Sequence, residues 1–438
     1  MKKKRILISL ISVTFLLLAA SIVLSILRDD DPYRYFTGMG SSFDLSPNEE
    51  YYVFSYFVDG KEDIYRSTSE GTDVEKLTES ASENFHSPRY SKDGTKILYL
   101  AENAEGINSL LVASQNGTGQ EILTNATTHV SEAVFSNTGE EIYFFGTAAE
   151  DFKKAEGETT EGFDLFVVDI VSKEIKQLTN QDHFTMNYLS VSPDGKEIYY
   201  SLFDGNREVV TAFSLEDGSE KEAPGSTLLP DDTYSFRYSP DGKRIAYTSI
   251  SKESLDSSLF KYELFLLDLE NGQSKRLTNL DSSVVSPEFF KDQTQIAFLE
   301  NSNWPQDPAE HTLKVIDLET EKIQSIELEL PHGKSSHLLS KSIDIFANGS
   351  TVAILYVILL GLISTYLSFY HSRRRYYPSI ASVLLTVLVF ISSFIVAMVV
   401  DPWYGIALGM LAAALFGCTL IIFGYTFALT FFLKRRNT

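Results

Sequence analysis

The chain has 438 residues, with 37 Lys and Arg against 59 Asp and Glu and a single cysteine, Cys418. This length accommodates two or three domains, and one cysteine excludes intrachain disulfides and thiolate metal sites. Residues 29–344 hold 26 Lys and Arg and 58 Asp and Glu, a net charge of −32. So acidic a region repels phosphate backbones, which excludes nucleic acid as a partner.

The first feature along the chain is an uncharged apolar run over residues 6–27. As a helix it is about 33 Å long, enough to cross a bilayer, and residues 2–5 before it are all basic. The positive-inside rule therefore places the N-terminus in the cytoplasm. A cleaved signal peptide is the alternative, but its apolar core is shorter and ends at small residues. Here residues 19–21 are followed by more apolar sequence, which favours an uncleaved anchor.

After a linker over residues 28–42, a turn motif recurs between residues 43 and 330. Its fullest copies read Ser-Pro-Asp-Gly, at Ser192 and at Ser239, and successive copies are 45 to 56 residues apart. Proline presets φ, Asp bonds to nearby backbone, and Gly accepts the left-handed conformation that closes a tight hairpin. The six copies begin at Ser46, Ser91, Ser136, Ser192, Ser239 and Phe290. This period is typical of four-stranded propeller blades.

The residues that flank each turn repeat as well. An apolar residue precedes every copy, and an aromatic residue stands eight positions after its first residue. These aromatics are Phe54, Tyr99, Phe144, Tyr200, Tyr247 and Phe298. A third strand follows, and a fourth ends in Leu-Thr in four of the copies. We therefore predict an all-β, six-bladed propeller with four-stranded blades, in which this ladder is buried between neighbouring blades.

Repeats that read aromatic-Ser-Pro-Asp-Gly-Lys-x-Ile-x-aromatic and then Leu-Thr resemble the TolB-type β-propeller repeat, a relative of the WD repeat. The resemblance covers residues 43–330 and implies a propeller fold. The family usually has Trp before the turn, where this chain has Tyr, Phe, Leu or Val. TolB itself is a soluble periplasmic protein with a further N-terminal domain. This chain lacks that domain and adds membrane helices, so TolB's role does not carry over.

The sequence contains no catalytic motif of the known propeller enzymes. Neither a Gly-x-Ser-x-Gly nucleophile elbow nor a His-Glu-x-x-His metal motif occurs. Gly333-Lys334-Ser335 looks like the end of a phosphate loop, but position 328 is leucine where that loop needs glycine. We therefore assign no catalytic residue, no metal ligand and no cofactor.

Three histidines and one tryptophan are the candidate binding residues. His86, His129 and His183 each precede the innermost strand of successive blades, which places them around one mouth of the central channel. A metal or an acid–base pair would fit there, and a resemblance to oligogalacturonate lyases, which bind a metal through histidines, implies the same. Their offsets from the turn motif differ, however, so they need not converge. Solvent-exposed loop histidines are the alternative.

The loops that join the second and third strands are the other candidate binding surface. Three of them are long, over residues 149–162, 251–262 and 301–311, and the last carries Trp304. Insertions on a rigid scaffold commonly carry binding residues, so we expect these loops to form the binding face. Acidic, solvated spacers without a partner are the alternative.

Three further apolar runs follow a linker over residues 331–350. They cover residues 351–370, 380–400 and 406–432. If the sides alternate, basic residues 373–375 and 434–436 both fall in the cytoplasm. The prediction is a multi-pass protein of the cell membrane with both termini cytoplasmic, the last being the tail 433–438, and with an extracytoplasmic propeller. No charged residue or histidine interrupts any of the four runs, which argues against a transporter.

Small residues recur at four-residue intervals in the last apolar run. They are Gly405, Gly409, Ala413 and Gly417. Such a stripe lets another helix approach closely, from the same chain or from a second copy.

Together these features favour a membrane-anchored binding or scaffold module for a protein or a cell-envelope ligand. The alternatives are a propeller enzyme that acts on extracellular saccharide through the channel-mouth histidines and a membrane sensor of an external ligand.

Overall fold

The computed structural model describes residues 2–28, 31–154, 158–203, 205, 207–331, 333 and 337–436. The chain divides into two compact units. Pro32–Ser335 form the first, called the propeller unit, and Met1–Asp31 with Ser336–Thr438 form the second, called the helical unit.

The propeller unit is built from short antiparallel strands. In chain order these are β1 (Gly38–Leu45), β2 (Tyr51–Val58), β3 (Lys61–Thr68), β4 (Glu75–Lys76), β5 (Asn84–Tyr90), β6 (Lys96–Glu102), β7 (Asn108–Ser114), β8 (Glu121–Ile122), β9 (Thr128–Phe135), β10 (Glu141–Ala148), β11 (Asp164–Asp169), β12 (Ile175–Gln177), β13 (Met186–Val191), β14 (Glu197–Phe203), β15 (Glu208–Ser214), β16 (Glu220–Glu222), β17 (Phe236–Tyr238), β18 (Arg244–Ile250), β19 (Tyr262–Asp268), β20 (Ser274–Arg276), β21 (Ser283–Phe289), β22 (Gln295–Asn301), β23 (His311–Asp317) and β24 (Ile323–Ser325).

Strands that are adjacent along the chain pair with each other and form propeller blades. Four sheets have four strands each: β5–β8, β9–β12, β13–β16 and β17–β20. The first and last strands of the unit share one eight-stranded sheet, in which β1–β4 and β21–β24 are joined by a single residue pair, Met39 with His311. The structure therefore confirms a β-propeller with four-stranded blades.

The turn motif sets the register of every first strand against its second strand. The apolar residue before each turn lies directly opposite the residue six positions after the motif begins, as in Tyr90 opposite Ile97 and Tyr238 opposite Ile245. The six aromatics predicted to form a ladder are all buried, with at most 3% of their surface exposed. They belong to apolar clusters that fill the space between consecutive sheets, as predicted. One such cluster packs β1–β3 against β22 and β23.

The two ends of the sheets differ in their loops. The repeated turns between first and second strands lie at one end, called the short-turn face. The loops between second and third strands and the connections between sheets lie at the other end, called the long-loop face. The predicted long loops follow β10, β18 and β22, and the first of them begins with a short helix, α2 (Ala149–Phe152).

The helical unit contains one helix from the start of the chain and four from its end. These are α1 (Lys2–Leu27), α3 (Leu338–Phe346), α4 (Gly349–Tyr370), α5 (Tyr377–Val399) and α6 (Pro402–Arg436). All except α3 are long and apolar enough to cross a membrane. A chain of hydroxyl groups joins three of them. Tyr356 of α4 donates to Ser382 of α5 over 2.9 Å, and Ser382 lies 2.6 Å from the hydroxyl of Thr419 in α6. Such contacts hold apolar helices together.

The helices extend beyond the apolar runs that predicted them. Basic residues at the ends of α1 and α6 are helical because a charged side chain can extend away from an apolar phase without ending the helix. Residues 331–350 were interpreted as a linker, yet they contain α3. Its leucine and isoleucine side chains recur on one side of a nine-residue helix, a pattern that the long apolar runs beside it obscured.

The small-residue stripe of α6 does not form one continuous contact within the chain. A Cβ at Gly405 would lie 2.4 Å from the Cβ of Ala397 in α5, so this glycine permits close helix packing. Nothing lies within 4 Å of such an atom at Gly409 or Gly417, and Ala413 is exposed. The contact instead uses Gly405, Ala412, Thr419 and Thr426, which are buried at seven-residue intervals. Association of two copies through the remaining stripe stays a prediction.

Candidate functional site

Two of the predicted histidines are brought together by an asparagine. His86 lies in β5, where one ring nitrogen is 3.0 Å from the hydroxyl of Ser87 and the other is 3.3 Å from the amide oxygen of Asn108. The backbone N–H of Asn108 donates to Nδ1 of His129 in β9 over 3.3 Å. Burial lowers the pKa of both imidazoles, that of His129 to about 4. Both rings are therefore neutral at pH 7.

His129 is also covered by the first long loop. Its ring stacks on Phe152 with 3.5 Å between centroids and packs edge-on against Phe163. Only 4% of its surface is exposed. An imidazole with a pKa of about 4, beneath an aromatic ring, is poorly suited to proton transfer near neutral pH. In this structure His129 anchors a loop.

The other two predicted residues are held by contacts of their own. His183 sits in the connection to β13, where its backbone pairs with that of Phe163. Trp304 lies in the third long loop and donates its Nε1–H to the carbonyl of Phe260 over 2.9 Å, which ties the third long loop to the second. Among the described residues, no three His, Cys, Asp or Glu side chains are grouped to hold a metal ion.

A cavity of about 180 Å³ lies where the first strands of the sheets meet. These strands depart from regular pairing beside it, because β5, β13 and β21 each contain a bulge. The bulged residues Ser87, Tyr188 and Ser286 have φ values of 53°, 61° and 54°, which are uncommon for residues other than glycine. Each bulge takes backbone polar groups out of the regular ladder.

Four charged side chains form a cluster in this channel. Arg237 donates from Nε to Glu288 over 2.6 Å. Arg89 lies between two carboxylates, 3.8 Å from Glu288 and 3.9 Å from Asp44. Burial and then Glu288 raise the pKa of Asp44 to about 6, against the opposing effect of Arg89. Burial would lower the pKa of Arg237, but Glu288 and Asp44 raise it above its ordinary value. The cluster is thus a set of mutually paired charges.

Side chains of one first strand also bind the backbone of the next. The carboxylate of Glu132 accepts hydrogen bonds from the N–H groups of Tyr188 and Leu189 at 3.0 and 2.8 Å. The hydroxyl of Ser42 accepts from the N–H of Ser87 at 3.0 Å. The N–H groups of the bulged residues Ser87 and Tyr188 are therefore satisfied across the gap between sheets, as buried donors require.

Sequence reasoning did not identify the channel charges, although a signal was present. The residue two positions before each turn motif is charged in four of the six repeats. In chain order these residues are Asp44, Arg89, Val134, Ser190, Arg237 and Glu288. A charge at an equivalent position of an otherwise buried strand points to a shared polar environment. Periodicity alone does not indicate which opposite charges meet, because partners such as Arg237 and Glu288 come from different repeats.

Exposed aromatic side chains of the propeller unit gather on the long-loop face. They are Phe152, Phe184, Phe203, Tyr234, Phe260 and Trp304. Phe184 is 74% exposed and Trp304 is 37% exposed. Tyr262 links two of them, with its ring centroid 5.0 Å from that of Tyr234 and 6.3 Å from that of Trp304. In the described part of the short-turn face, no aromatic side chain is comparably exposed.

By its strand pairing the chain is a β-propeller protein, and it also carries helices long and apolar enough to cross a membrane. No family model matches the chain. Similar solved structures include TolB from Acinetobacter baumannii (16% identity, TM-score 0.48), with 66% of this chain and 63% of that chain covered. The match therefore spans less than two thirds of that TolB chain.

Two further similar structures have the same general fold. Oligogalacturonate lyase from Vibrio parahaemolyticus is 12% identical, with a TM-score of 0.48 and coverage of 65% of this chain and 92% of that chain. A putative TolB from Agrobacterium tumefaciens is 16% identical, with a TM-score of 0.41 and coverage of 54% and 80%. The fold assignment for this chain stands on its own strand pairing.

Proposed function

We propose that this protein is a membrane-anchored, extracytoplasmic propeller of the TolB-like type that binds a protein or a cell-envelope ligand on its long-loop face. The observation that carries the proposal is the concentration of exposed aromatic side chains on that face. Single exposed apolar residues are ordinary, but a contiguous group of them is typical of interaction surfaces. Aromatic residues are also enriched where proteins contact partners.

In this proposal the propeller has six blades. The eight-stranded sheet counts as two of them, since β1–β4 and β21–β24 each form a four-strand meander and only Met39 and His311 join the two. An apolar cluster lies between these two groups, as between other neighbouring sheets. The six copies of the turn motif support the same count.

The helices α1, α4, α5 and α6 anchor the protein in the cell membrane. Basic residues 2–5, 373–375 and 434–436 all lie on one side if successive helices alternate in direction, which supports cytoplasmic termini and an extracytoplasmic propeller.

Helix α3 lies in the membrane interface. Its Leu338, Leu339 and Ile345 are 69–77% exposed, and only two residues separate it from α4. An amphipathic helix in that position suits the boundary between lipid and water.

The contacts in the channel support binding rather than catalysis as the role of the propeller. Both ring nitrogens of His86 have polar partners, and His129 is covered by Phe152. The channel carboxylates hold arginines or backbone N–H groups of neighbouring strands. These contacts join adjacent sheets and so make a rigid scaffold for the loops.

The test compares the two faces in membranes. A variant with Phe184→Ser, Phe203→Ser and Phe260→Ser, whose side chains are 46–74% exposed, should keep its melting temperature within a few degrees, since exposed substitutions change stability by about 0.5 kcal/mol or less. Cross-linking followed by affinity recovery should yield a reproducible partner from the natural chain and lose it in this variant. The matched control is Val171→Ser, which changes a 90% exposed residue of the short-turn face. Equal recovery from both variants would move the binding site away from the long-loop face.

A further inference from the structure

A second cavity opens at the long-loop end of the propeller, between β1 and its neighbours. Its volume is about 250 Å³. It is lined by Tyr33, Met39, Gly40, Ser41, Phe57, Glu62, His86, Glu102 and His311. Ser41 lines both this cavity and the central one. We call it the loop-face cavity. It is a separate feature from the exposed aromatic surface and does not depend on the function proposed for that surface.

The walls of the loop-face cavity carry two carboxyl groups, those of Glu62 and Glu102. Among the described residues that line it there is no lysine or arginine. Its two imidazoles do not supply a cation, because burial lowers the pKa of His86 and of His311. Two carboxyl groups in one partly desolvated space repel each other when ionised. A ligand with a positive charge would relieve that repulsion.

The cavity is built to bring the carboxyl group of Glu62 close to the backbone of β1. A Cβ at position 40 would lie 2.6 Å from Oε1 of Glu62 and 2.1 Å from the hydroxyl of Ser55, so only glycine permits this approach. Glu62 is 9% exposed. Burial and then Glu102 raise its pKa to about 8, against the opposing hydrogen bond from Ser55. Glu62 is therefore mostly protonated at pH 7 while the cavity is empty.

Two further wall groups favour a particular kind of cation. Tyr33 and Phe57 form an aromatic wall, with ring centroids 5.0 Å apart and an interplanar angle of 31°. Aromatic faces attract ammonium groups. His311 also lines the cavity, and burial lowers the pKa of its imidazole, so it adds no competing cation. Carboxyl groups beside an aromatic face and a neutral imidazole are together the complement of an alkylammonium group.

We propose that the loop-face cavity binds the ammonium group of a small organic cation, held by Glu62 and Glu102 against the Tyr33–Phe57 wall. The ammonium group belongs either to a free amine or to a lysine side chain of a partner. Binding to ionised Glu62 releases its proton at neutral pH, so affinity rises with pH toward 8.

The experiment measures binding of n-butylammonium to the full chain in dodecyl maltoside by saturation-transfer NMR. Saturable binding is expected, and 1-pentanol, a neutral molecule of similar size, should not compete. Glu62→Gln should weaken binding about 10- to 100-fold, the usual contribution of a hydrogen bond to a charged group. Asp281→Asn, which removes a charge that is 87% exposed on the same face, should leave it unchanged.

The pH dependence gives a second readout. Between pH 6 and pH 8 the affinity of the natural chain should rise about tenfold or more, because one proton is displaced per bound cation. The other ionisable groups around Glu62 are Glu102, Asp63, Lys61 and Tyr33, together with His86 and His311 in the same cavity wall. Glu62→Gln should abolish the rise. If the rise persists in that variant, another of these groups is responsible and the assignment to Glu62 is wrong.

The remaining outcomes each support or contradict the proposed ammonium site. If Glu62→Gln does not fold, Glu102→Gln takes its place and should weaken binding in the same direction. The source of the ammonium group is tested with a short peptide whose N-terminus is acetylated and whose lysine side chain is free. Competition by this peptide would identify a lysine side chain as the source, and its failure would identify a free amine. Absence of saturable n-butylammonium binding, undiminished binding by both Gln variants relative to the natural chain, or competition by 1-pentanol would overturn the proposal, whatever the partner experiment shows.

Discussion

In three blades the threonine of the Leu-Thr pair closes the outer strand by bonding in two directions. The hydroxyl of Thr179 accepts from the N–H of Leu165 at 2.9 Å and donates to the carboxylate of Asp164 at 2.8 Å. All three residues belong to one blade and are buried. Equivalent pairs join Thr78 to Asp63 and Thr278 to Glu263. In these blades the repeated Leu-Thr pair thus supplies a hydroxyl that accepts from a buried N–H and donates to a buried carboxylate.

Thr179→Val should show the size of this effect. Valine keeps the shape but removes the hydroxyl, which leaves the N–H of Leu165 without its acceptor and Asp164 with only its donors from Gln177 and Gln181. The free energy of unfolding should fall by about 1–3 kcal/mol. Thr179→Ser keeps both hydrogen bonds and should cost less than about 1 kcal/mol. Urea unfolding of the full chain in detergent measures both. Equal stability of the two variants would mean that this hydroxyl contributes nothing.

Glu62 should make stability depend on pH in an unusual direction. Its folded pKa of about 8 lies above the ordinary value of 4.5. Between these pH values the unfolded chain loses the proton while the folded chain keeps it, so stability falls as pH rises. Relative to Glu62→Gln, the natural chain should lose on the order of 3 kcal/mol between pH 5 and pH 8.

Thermal melting at several pH values checks this prediction. Asp44, His86 and His129 also titrate with shifted pKa, so the difference between the natural chain and Glu62→Gln is the informative quantity. Glu216→Gln, at an exposed turn residue, serves as the control. Parallel profiles for the natural chain and Glu62→Gln would contradict the raised pKa.

At the scale of elements, the hairpin turn is the unit that repeats most faithfully. The hydroxyl of Ser192 donates to Asp194 at 2.7 Å and accepts from the N–H of Glu197 at 2.9 Å, and Gly195 has a φ of 75°. In the first and last copies, Glu49 and Gln293 take the same left-handed conformation with φ near 60°. The terminal copies therefore keep the turn although they lose the glycine.

Gly195→Val should destabilise the propeller more than Gly106→Val. Both glycines have φ near +75°, so both variants strain the backbone, by about 1–2 kcal/mol. Only at Gly195 does a new Cβ meet a neighbour, lying 2.6 Å from Nδ2 of Asn137, which donates to the carbonyl of Ser192 at 3.3 Å. The difference in unfolding free energy between the two variants measures this contact between adjacent turns. No difference would show that backbone strain alone is at work.

The sequence predicted those parts of the fold that each repeat determines locally. Turn chemistry and the aromatic ladder are properties of single strands and hairpins, so their register followed from spacing, as at Tyr90 and Ile97. Helix α3 was missed because nine residues give a weak periodic signal beside long apolar runs. The channel cluster was missed because Arg89 finds Asp44 and Glu288 only after distant repeats have come together.

The same reasoning explains the incomplete prediction of the site. His86, His129 and His183 were expected around one mouth of the channel without necessarily converging. Asn108 joins the first two, but nothing in their spacing indicated that Phe152 would cover His129. The loop-face cavity depends on the missing side chain of Gly40 and on a β3 carboxylate. Such cavities arise from contacts between strands, which local sequence patterns do not encode.

At the scale of the whole molecule, the two units carry opposite kinds of charge. Residues 29–344 have a net charge of −32, whereas the apolar helices are flanked by basic clusters at residues 2–5, 373–375 and 434–436. Cationic clusters are retained on the cytoplasmic side during insertion, while acidic residues have little influence on orientation. The charge pattern therefore predicts a topology independently of the propeller's fold.

Cysteine labelling in intact cells tests that topology. In a Cys418→Ser background, cysteines at Ser219, in a turn of the propeller, and at Tyr404, at the start of α6, should react with a membrane-impermeant maleimide. A cysteine at Ser372, beside the basic residues 373–375, should react only after the cells are permeabilised, because the positive-inside rule places it in the cytoplasm. All three positions are exposed in the structure, so permeabilised cells provide the control for reactivity. Labelling at Ser372 in intact cells, or protection at Ser219, would invert the proposed orientation and place the propeller in the cytoplasm.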